Sequence, residues 1–236
     1  VGGQYGHGDL TVGPNAAWWP DYKPYADACR RLSWLNTDSH HICDLAVLCE
    51  ATWLPDKPAK VLYQNQRDFN YLEIRHLWED ATISSKGVQI GGMIYKAVII
   101  DSLSYIHPRA IPVLKKLARH KHLILRDDSK LTSMCRGAIV YRTSDELKAA
   151  INKITESDIL LTPASENIRY RHVEKYGDHY YMLFNEENSE VSTKISLPLK
   201  GTRQWINPFN AETKVAGDNE SVNFKPYEMR ILRISK

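Results

Sequence analysis

YKAVIIDSLSYIHPRAIPVLKKLARHKHLILRDD, Tyr95–Asp128, reads as strand, helix and strand. Ala97–Ile100 is a short apolar run, too brief for a helix and rich in β-branched side chains. Asp101 and Ser102 end it, and Pro108 stands where the first turn of a following helix tolerates proline. Ile111, Leu114, Leu117 and Ala118 then recur at helical spacing. Lys115, Lys116 and Arg119 fall on the other side and toward the C-terminal end, where cations suit the helix dipole. Leu123–Leu125 is the next short strand. Two strands without polar alternation, joined through a helix, are the βαβ unit of a parallel sheet covered on both faces.

The same alternation extends outward. Leu45–Leu48 is the first such strand, a helix follows near Ala59–Arg67 behind Pro55 and Pro58, and Tyr71–Ile74 is the second strand. Trp78–Ser85 has no decisive period, while Val88–Met93, with Gly91 and Gly92, predicts a short excursion or an edge hairpin. The opening unit supplies the third and fourth strands. Ser144 is expected to cap a helix over Asp145–Ile154, and Ile159–Leu161 is expected as the fifth strand. Residues 40–165 are therefore expected to form a doubly wound, flavodoxin-like α/β domain. After Pro163 the helical period disappears. Ile168–Val173, His179–Phe184, Glu190–Leu197 and Tyr227–Ile234 alternate or are aromatic, with turn residues at Tyr176-Gly177-Asp178, Asn185–Ser189, Lys200-Gly201 and Gly217-Asp218-Asn219. Residues 166–236 are expected to form a small antiparallel β-sandwich. Residues 1–39 combine a Gly-rich arm with a helix from Trp18 to about Leu35. Its apolar stripe is Tyr22, Tyr25, Ala26, Cys29, Leu32 and Leu35, and Asp21, Lys23, Asp27, Arg30 and Arg31 face water.

Composition removes several function classes. Of 236 residues, 31 are Lys or Arg and 28 Asp or Glu, a net charge of +3 that leaves no electrostatic footprint for nucleic acid. No apolar run approaches the roughly 20 residues of a membrane span. The chain opens on Val1, and VGGQYGHGDL has neither the basic region nor the apolar centre of a signal peptide, which suggests a cut-out fragment or a processed chain. GGQYGHG has no strand before it and no helix directly after it, so it is not a dinucleotide fingerprint. Cys29, Cys43, Cys49 and Cys135 show no CxxC spacing and are expected as buried free thiols.

In an open α/β sheet, ligands bind beyond the carboxyl ends of the strands. Here those positions are Cys49, Glu50 and Trp53, then Arg75 and His76, Asp101 and Ser102, Asp127 and Asp128, and Thr162. The loop Cys49-Glu50-Ala51-Thr52-Trp53-Leu54-Pro55 carries an acid and no glycine, so it repels the phosphate of a flavin. A phosphoacceptor site lacks its lysine, because the fifth expected strand ends in Thr162-Pro163. Neither Cys49 nor Cys135 stands on a glycine-relieved nucleophile elbow. Glu50 and Asp101 end neighbouring strands, at a spacing that could approach that of paired glycosidase carboxylates, but acids there also cap the next helix. His40, His41, His107, His120 and His122 form no metal motif, and exposure is the expected state of His120 and His122. No catalytic set, metal or cofactor is expected. Glu50, Trp53, Asp101, Ser102 and Asp127 remain as candidate ligand-binding residues for a carbohydrate or other small ligand. Trp18, Trp19, Tyr22 and Tyr25 are the candidate docking face for a neighbouring domain.

Two stretches resemble a known family. GPNAAWWPDYKPYADACRRLSWLNTDSHHICDLAVLCE, Gly13–Glu50, resembles the segment of large bacterial α-L-rhamnosidase-type glycoside hydrolases where the catalytic barrel ends. The matching residues are Trp18, Trp19, Tyr22, Lys23, Arg31, Leu32, Ser33 and Asp44–Leu48. RYRHVEKYGDHYYMLFNEENSEV and WINPFNAET are similar to the C-terminal β-domain of those enzymes at Arg171, Tyr181, Asn185, Trp205 and Pro208. The chain departs from the family at Asn36–Ser39, where a glycine is usual before the first strand. The resemblance implies a flavodoxin-like domain, similar to the one that follows the barrel in many β-galactosidases, and then a β-sandwich. It places the catalytic acids in a barrel upstream of Gly13 and carries none onto this chain. At most, Gln4–Gly8, with His7, would be a remnant of the last barrel strand or loop. The partners it implies are that barrel, carbohydrate and a second copy of the chain, in a periplasmic or extracellular setting.

Overall fold

The computed structural model describes residues 16–127 and 130–236; the Gly-rich arm, including Gln4–Gly8 and His7, and Asp128 lie outside the described residues. Helix α1 (Trp19–Asn36) accepts Pro20 in its first turn, where the backbone N–H has no helical partner, and carries Pro24 further in. Strand β1 (His40–His41) follows, then β2 (Leu45–Cys49), α2 (Asp56–Gln64), β3 (Asn70–Glu73) and the short α3 (His76–Glu79). Strands β4 (Thr82–Ser84), β5 (Gly87–Ile90) and β6 (Met93–Tyr95) form an antiparallel excursion turning through Gly91-Gly92. Only glycine fits at its base, because a Cβ on Gly87 would lie 2.3 Å from the Tyr95 carbonyl oxygen at a φ of 139°.

β7 (Ala97–Ile100), α4 (Ala110–Arg119) and β8 (Leu123–Arg126) realise the strand–helix–strand unit of the opening stretch. Pro108 lies just before α4, whose own first turn holds Pro112. β9 (Ile139–Tyr141) and α5 (Ser144–Ile154) complete the layer; the cap of α5 is Thr143 rather than Ser144, its hydroxyl accepting the Glu146 N–H while Ser144 already lies in the first turn. The five-stranded sheet runs β3-β2-β7-β8-β9 with every pairing parallel. The uninterrupted apolar runs follow from this arrangement. Val98 and Ile100 pack with Leu114 and Leu117 of α4 on one face, and Val47 and Ile99 pack with Leu62 of α2 and Leu147 of α5 on the other.

One expected strand belongs elsewhere. Leu160–Thr162, β10, is not the fifth parallel strand; it pairs antiparallel with β13 (Val191–Ser196). The burial pattern explains the difference, since Leu160 is 58% exposed and a parallel strand needs cover on both faces. β11 (Ile168–Lys175), β12 (Asp178–Asn185), β14 (Thr202–Ile206), β15 (Thr213–Val215), β16 (Ser221–Phe224) and β17 (Met229–Ser235) complete the chain. They form a six-stranded sheet, β1-β11-β12-β17-β14-β15, and a three-stranded sheet, β10-β13-β16. A shared apolar cluster joins them, with Tyr181, Leu183 and Leu232 from the larger sheet and Ile195, Val222 and Phe224 from the smaller. The C-terminal half of α1 covers the other face of the larger sheet, through Leu32 and Leu35 against Val173, Tyr180, Met182 and Ile231.

Candidate functional site

The carboxyl edge of the parallel sheet brings Glu50, Asp101 and Asp127 to one end of the layer, and each is engaged in holding the scaffold. The strand order reverses between β2 and β7, which is where a doubly wound sheet leaves a crevice. Glu50 closes it. One carboxylate oxygen accepts the Ser104 hydroxyl at 2.7 Å and the other accepts the Ser104 backbone N–H, so the loop after β7 is clasped to the loop after β2. The Ser104 hydroxyl and the backbone N–H groups of Ser104 and Tyr105 outweigh burial and hold this carboxyl below the ordinary glutamate range. Trp53 is tied back by a paired backbone bridge to Glu50, leaving its ring exposed.

Asp101 is 5% exposed and accepts the Tyr141 hydroxyl at 2.9 Å; Arg126 lies 3.4 Å away on the other oxygen, beside the Ser102 hydroxyl. It ties β7 to β8 and β9. Asp127 pairs at the surface with Arg142, at 2.7 Å. Thr162 does not reach this edge, because its strand lies in another sheet, and Arg142 follows the true fifth strand. An open depression of about 420 Å³ lies beside Glu50, lined by Leu54, Tyr71, Glu73 and His76.

The aromatic face of α1 is assembled as a row. Trp19 stacks on Tyr22 with centroids 5.0 Å apart, and Trp18 tilts against both. Trp18 and Tyr22 are each 42% exposed and Tyr25 is 63% exposed. Of the expected apolar stripe only Leu35 is buried, joined by Ala28, because the N-terminal half of the helix reaches past the sheet that its C-terminal half covers. Arg31, expected to face water, instead donates to the Pro208 and Phe209 carbonyls at 3.0 and 2.8 Å and fastens the helix to the turn after β14.

All four cysteines are free; Cys49 and Cys135 are buried as expected, whereas Cys43 is half-buried and Cys29 is exposed on the uncovered side of α1. Burial pushes the Cys43 thiol up to about 12, which removes it as a nucleophile. His122 is likewise not exposed: its two ring nitrogens lie 2.7 and 3.2 Å from the Lys96 and Ser85 carbonyl oxygens, under the β4–β6 excursion. His76, Glu79 and Asp80 bring ligand atoms within 4.8 Å of one another at the surface, with His76 already paired to Asp80 at 2.7 Å.

Two sets of buried and half-buried polar groups were not legible in the sequence. His41 meets Asp68 at 2.6 Å, and His172 meets Asp158 at 2.8 Å and His179 at 3.0 Å through its two ring nitrogens. Tyr181 donates its hydroxyl to the other oxygen of Asp158 at 3.0 Å. The partners are 27 and 14 residues apart in sequence and belong to different elements, so no spacing announces them. The first pair fastens the segment before β3 to β1, and the second set fastens the segment after α5 to the six-stranded sheet. Burial, then the neighbouring His172, holds His179 below the ordinary histidine value. The unfolded chain therefore binds more protons at this position as pH falls through the ordinary value of about 6.5, and the fold loses stability in that window. Urea midpoints compared at pH 7.5 and 5.5 should fall on acidification, and His179→Gln should flatten the slope.

Two of the residues that carry the resemblance, Asn185 and Arg171, are bonded into the scaffold. Asn185 is fully buried and donates to the Ser189 and Lys225 carbonyls at 2.8 and 3.0 Å, and Arg171 reaches Asn36 at 3.1 Å. No model of a known protein family and no curated sequence matches this chain. Solved structures do. A rhamnosidase from Novosphingobium sp. PP1Y matches with a TM-score of 0.65 at 14% identity, over 93% of this chain and 25% of its own. A β-galactosidase from Bacillus circulans sp. alkalophilus matches at 0.58 and 9% identity, over 87% of this chain and 44% of its own. An apo exo-carrageenase of family GH42 from Bacteroides ovatus matches at 0.54 and 13% identity, over 81% and 29%. The chain thus spans less than half the length of these proteins and shares a fold with part of several glycoside hydrolases.

Proposed function

We propose that this chain is the non-catalytic, C-terminal accessory region of a polysaccharide-degrading glycoside hydrolase, acting outside the cytoplasm, in the periplasm or beyond the cell. In this reading the α/β part is a flavodoxin-like domain and the two antiparallel sheets form a β-sandwich. α1 presents its aromatic row to the catalytic barrel that precedes it, and the whole buttresses the barrel, its cleft or an oligomer. The observation that carries the reading is the exposed row Trp18, Tyr22 and Tyr25 on a helix that, among the described residues, is anchored at its other end. Its company supports it: the strand-end acids are bonded into the scaffold. Purified chain should not hydrolyse aryl glycosides. Turnover abolished by Glu50→Gln or Asp101→Asn would refute the non-catalytic role.

A second reading, a freestanding glycan- or small-ligand-binding module at the strand ends, draws on the exposed Trp53 ring, in the same loop as Ala51 and Leu54, which line the depression beside Glu50. Calorimetric titration decides it, because saturable glycan binding lost in Trp53→Ala belongs to that reading alone.

A further inference from the structure

Five cations gather at the C-terminal end of α4. Lys115, Lys116 and Arg119 lie on the exposed side of the helix and Lys121 follows it, all outside the apolar face of Leu114, Leu117 and Ala118. The loop between β8 and β9 adds the exposed Arg136. That loop is held close, because Lys121 donates to the Gly137 carbonyl at 3.0 Å and a Cβ on Gly137 would lie 3.2 Å from the Ala118 carbonyl oxygen. Burial raises the pKa of the Cys135 thiol, and Lys115 stands near enough to oppose that shift, so the loop runs beside the helix as well as under its end. Among the described residues none of the five pairs with a carboxylate, whereas Lys23, Lys96, Arg142, Arg169, Arg230 and Arg233 each do.

The chain has 31 Lys and Arg against 28 Asp and Glu, so these five exceed its whole net charge of +3. The last carbonyls of α4 offset them with only about half a negative charge. The acids of the neighbouring α3, Glu79 and Asp80, follow Trp78, which stacks on His107 ahead of the other end of α4, and Asp80 is already paired with His76. A face of this kind attracts an anionic partner, and its surroundings narrow which. The exposed Trp and Tyr rings lie on other segments, so none is there to stack an unpaired base, and α4 has no Asn or Gln to read a paired one. No exposed Leu, Phe or Trp stands among the cations to enter a bilayer. What suits the face is a polymer held through its charges alone. We propose that it binds a polysaccharide whose sugars carry sulfate or carboxylate groups. Arg119 and Arg136 grip those groups through their planar forks, and the lysines neutralise the polymer alongside. The choice of a glycan among polyanions rests on the polysaccharide-degrading reading above.

Calorimetric titration of the whole chain with a sulfated galactan and with polygalacturonate tests this, against neutral galactan, duplex DNA and anionic lipid vesicles. At least one acidic polysaccharide should bind saturably at about 50 mM salt and at least about tenfold more weakly at about 300 mM, as screening shortens the reach of the charges. A Lys115→Gln/Lys116→Gln/Arg119→Gln variant, changed only at exposed positions, should keep its melting temperature and lose at least about tenfold in affinity. Lys57→Gln/Lys60→Gln/Lys153→Gln removes the same charge from α2 and α5, which cover the other side of the parallel sheet, and should bind as the natural chain does. The proposal is overturned if neither acidic polysaccharide binds, if the two triple variants weaken binding equally, or if neutral galactan, duplex DNA or the vesicles bind more tightly. Aryl-glycoside turnover and docking through α1 do not involve this face, so its failure and that of the accessory-region reading are told apart.

Discussion

Replacing Asp101 with alanine should lower the unfolding free energy by about 2–3 kcal/mol, read as a shifted urea midpoint at unchanged slope. The side chain is almost wholly buried and takes the Tyr141 hydroxyl on one oxygen while Arg126 stands by the other. Truncation takes that acceptor from Tyr141 and that carboxylate from Arg126. Arg126 retains some exposure and the ion pair is long at 3.4 Å, so the loss falls below the roughly 3–5 kcal/mol of a fully buried pair broken on one side. Asp101→Asn keeps an acceptor for Tyr141 and should cost about half as much. A change under about 0.5 kcal/mol in the alanine variant would mean that Asp101 does not hold the sheet together, and would return it to the candidate functional acids.

Ile99→Ala should be more damaging, at about 3–4 kcal/mol by the same measurement. Ile99 is fully buried in the middle strand of the parallel sheet and packs among Val47, Ile124 and Leu147, so the vacated volume is walled by sheet and helix alike. Leu160→Ala is the control. A fifth parallel strand would make it comparably costly, whereas the exposed position in the antiparallel sheet limits the loss to less than about 1 kcal/mol.

Much of the α/β layer was legible because its strands are continuous apolar runs punctuated by helices with clear faces. Ala97–Ile100 and Leu123–Leu125 needed no tertiary information, since every residue between Val98 and Ile100 is buried. Ile139–Tyr141 was missed because it is three residues long and sits at the sheet edge, where Val140 is left exposed. Ile159–Leu161 was misassigned because three apolar residues in a row do not declare whether both faces are covered. The helix α1 shows the same ambiguity. Its aromatic spacing gave the right element, but spacing alone does not say whether Tyr22 and Tyr25 meet this chain or another surface. Glu50, Asp101 and Asp127 do fall at one edge of the sheet and Thr162 does not, and the engagement of the three acids by Ser104, Arg126, Tyr141 and Arg142 depends on contacts across 54, 25, 40 and 15 residues. The His41–Asp68 and His172–Asp158 pairs depend on such contacts as well.

The docking role of α1 is the central claim, and association with the proposed preceding catalytic region tests it most directly. Calorimetric titration of that region, produced separately, should give saturable binding to this chain, with the negative heat-capacity change of apolar burial. A Trp18→Ala/Tyr22→Ala/Tyr25→Ala variant, altered only at exposed positions, should keep its melting temperature and bind at least about a hundredfold more weakly. Equal affinity of the variant and the natural chain would contradict the account.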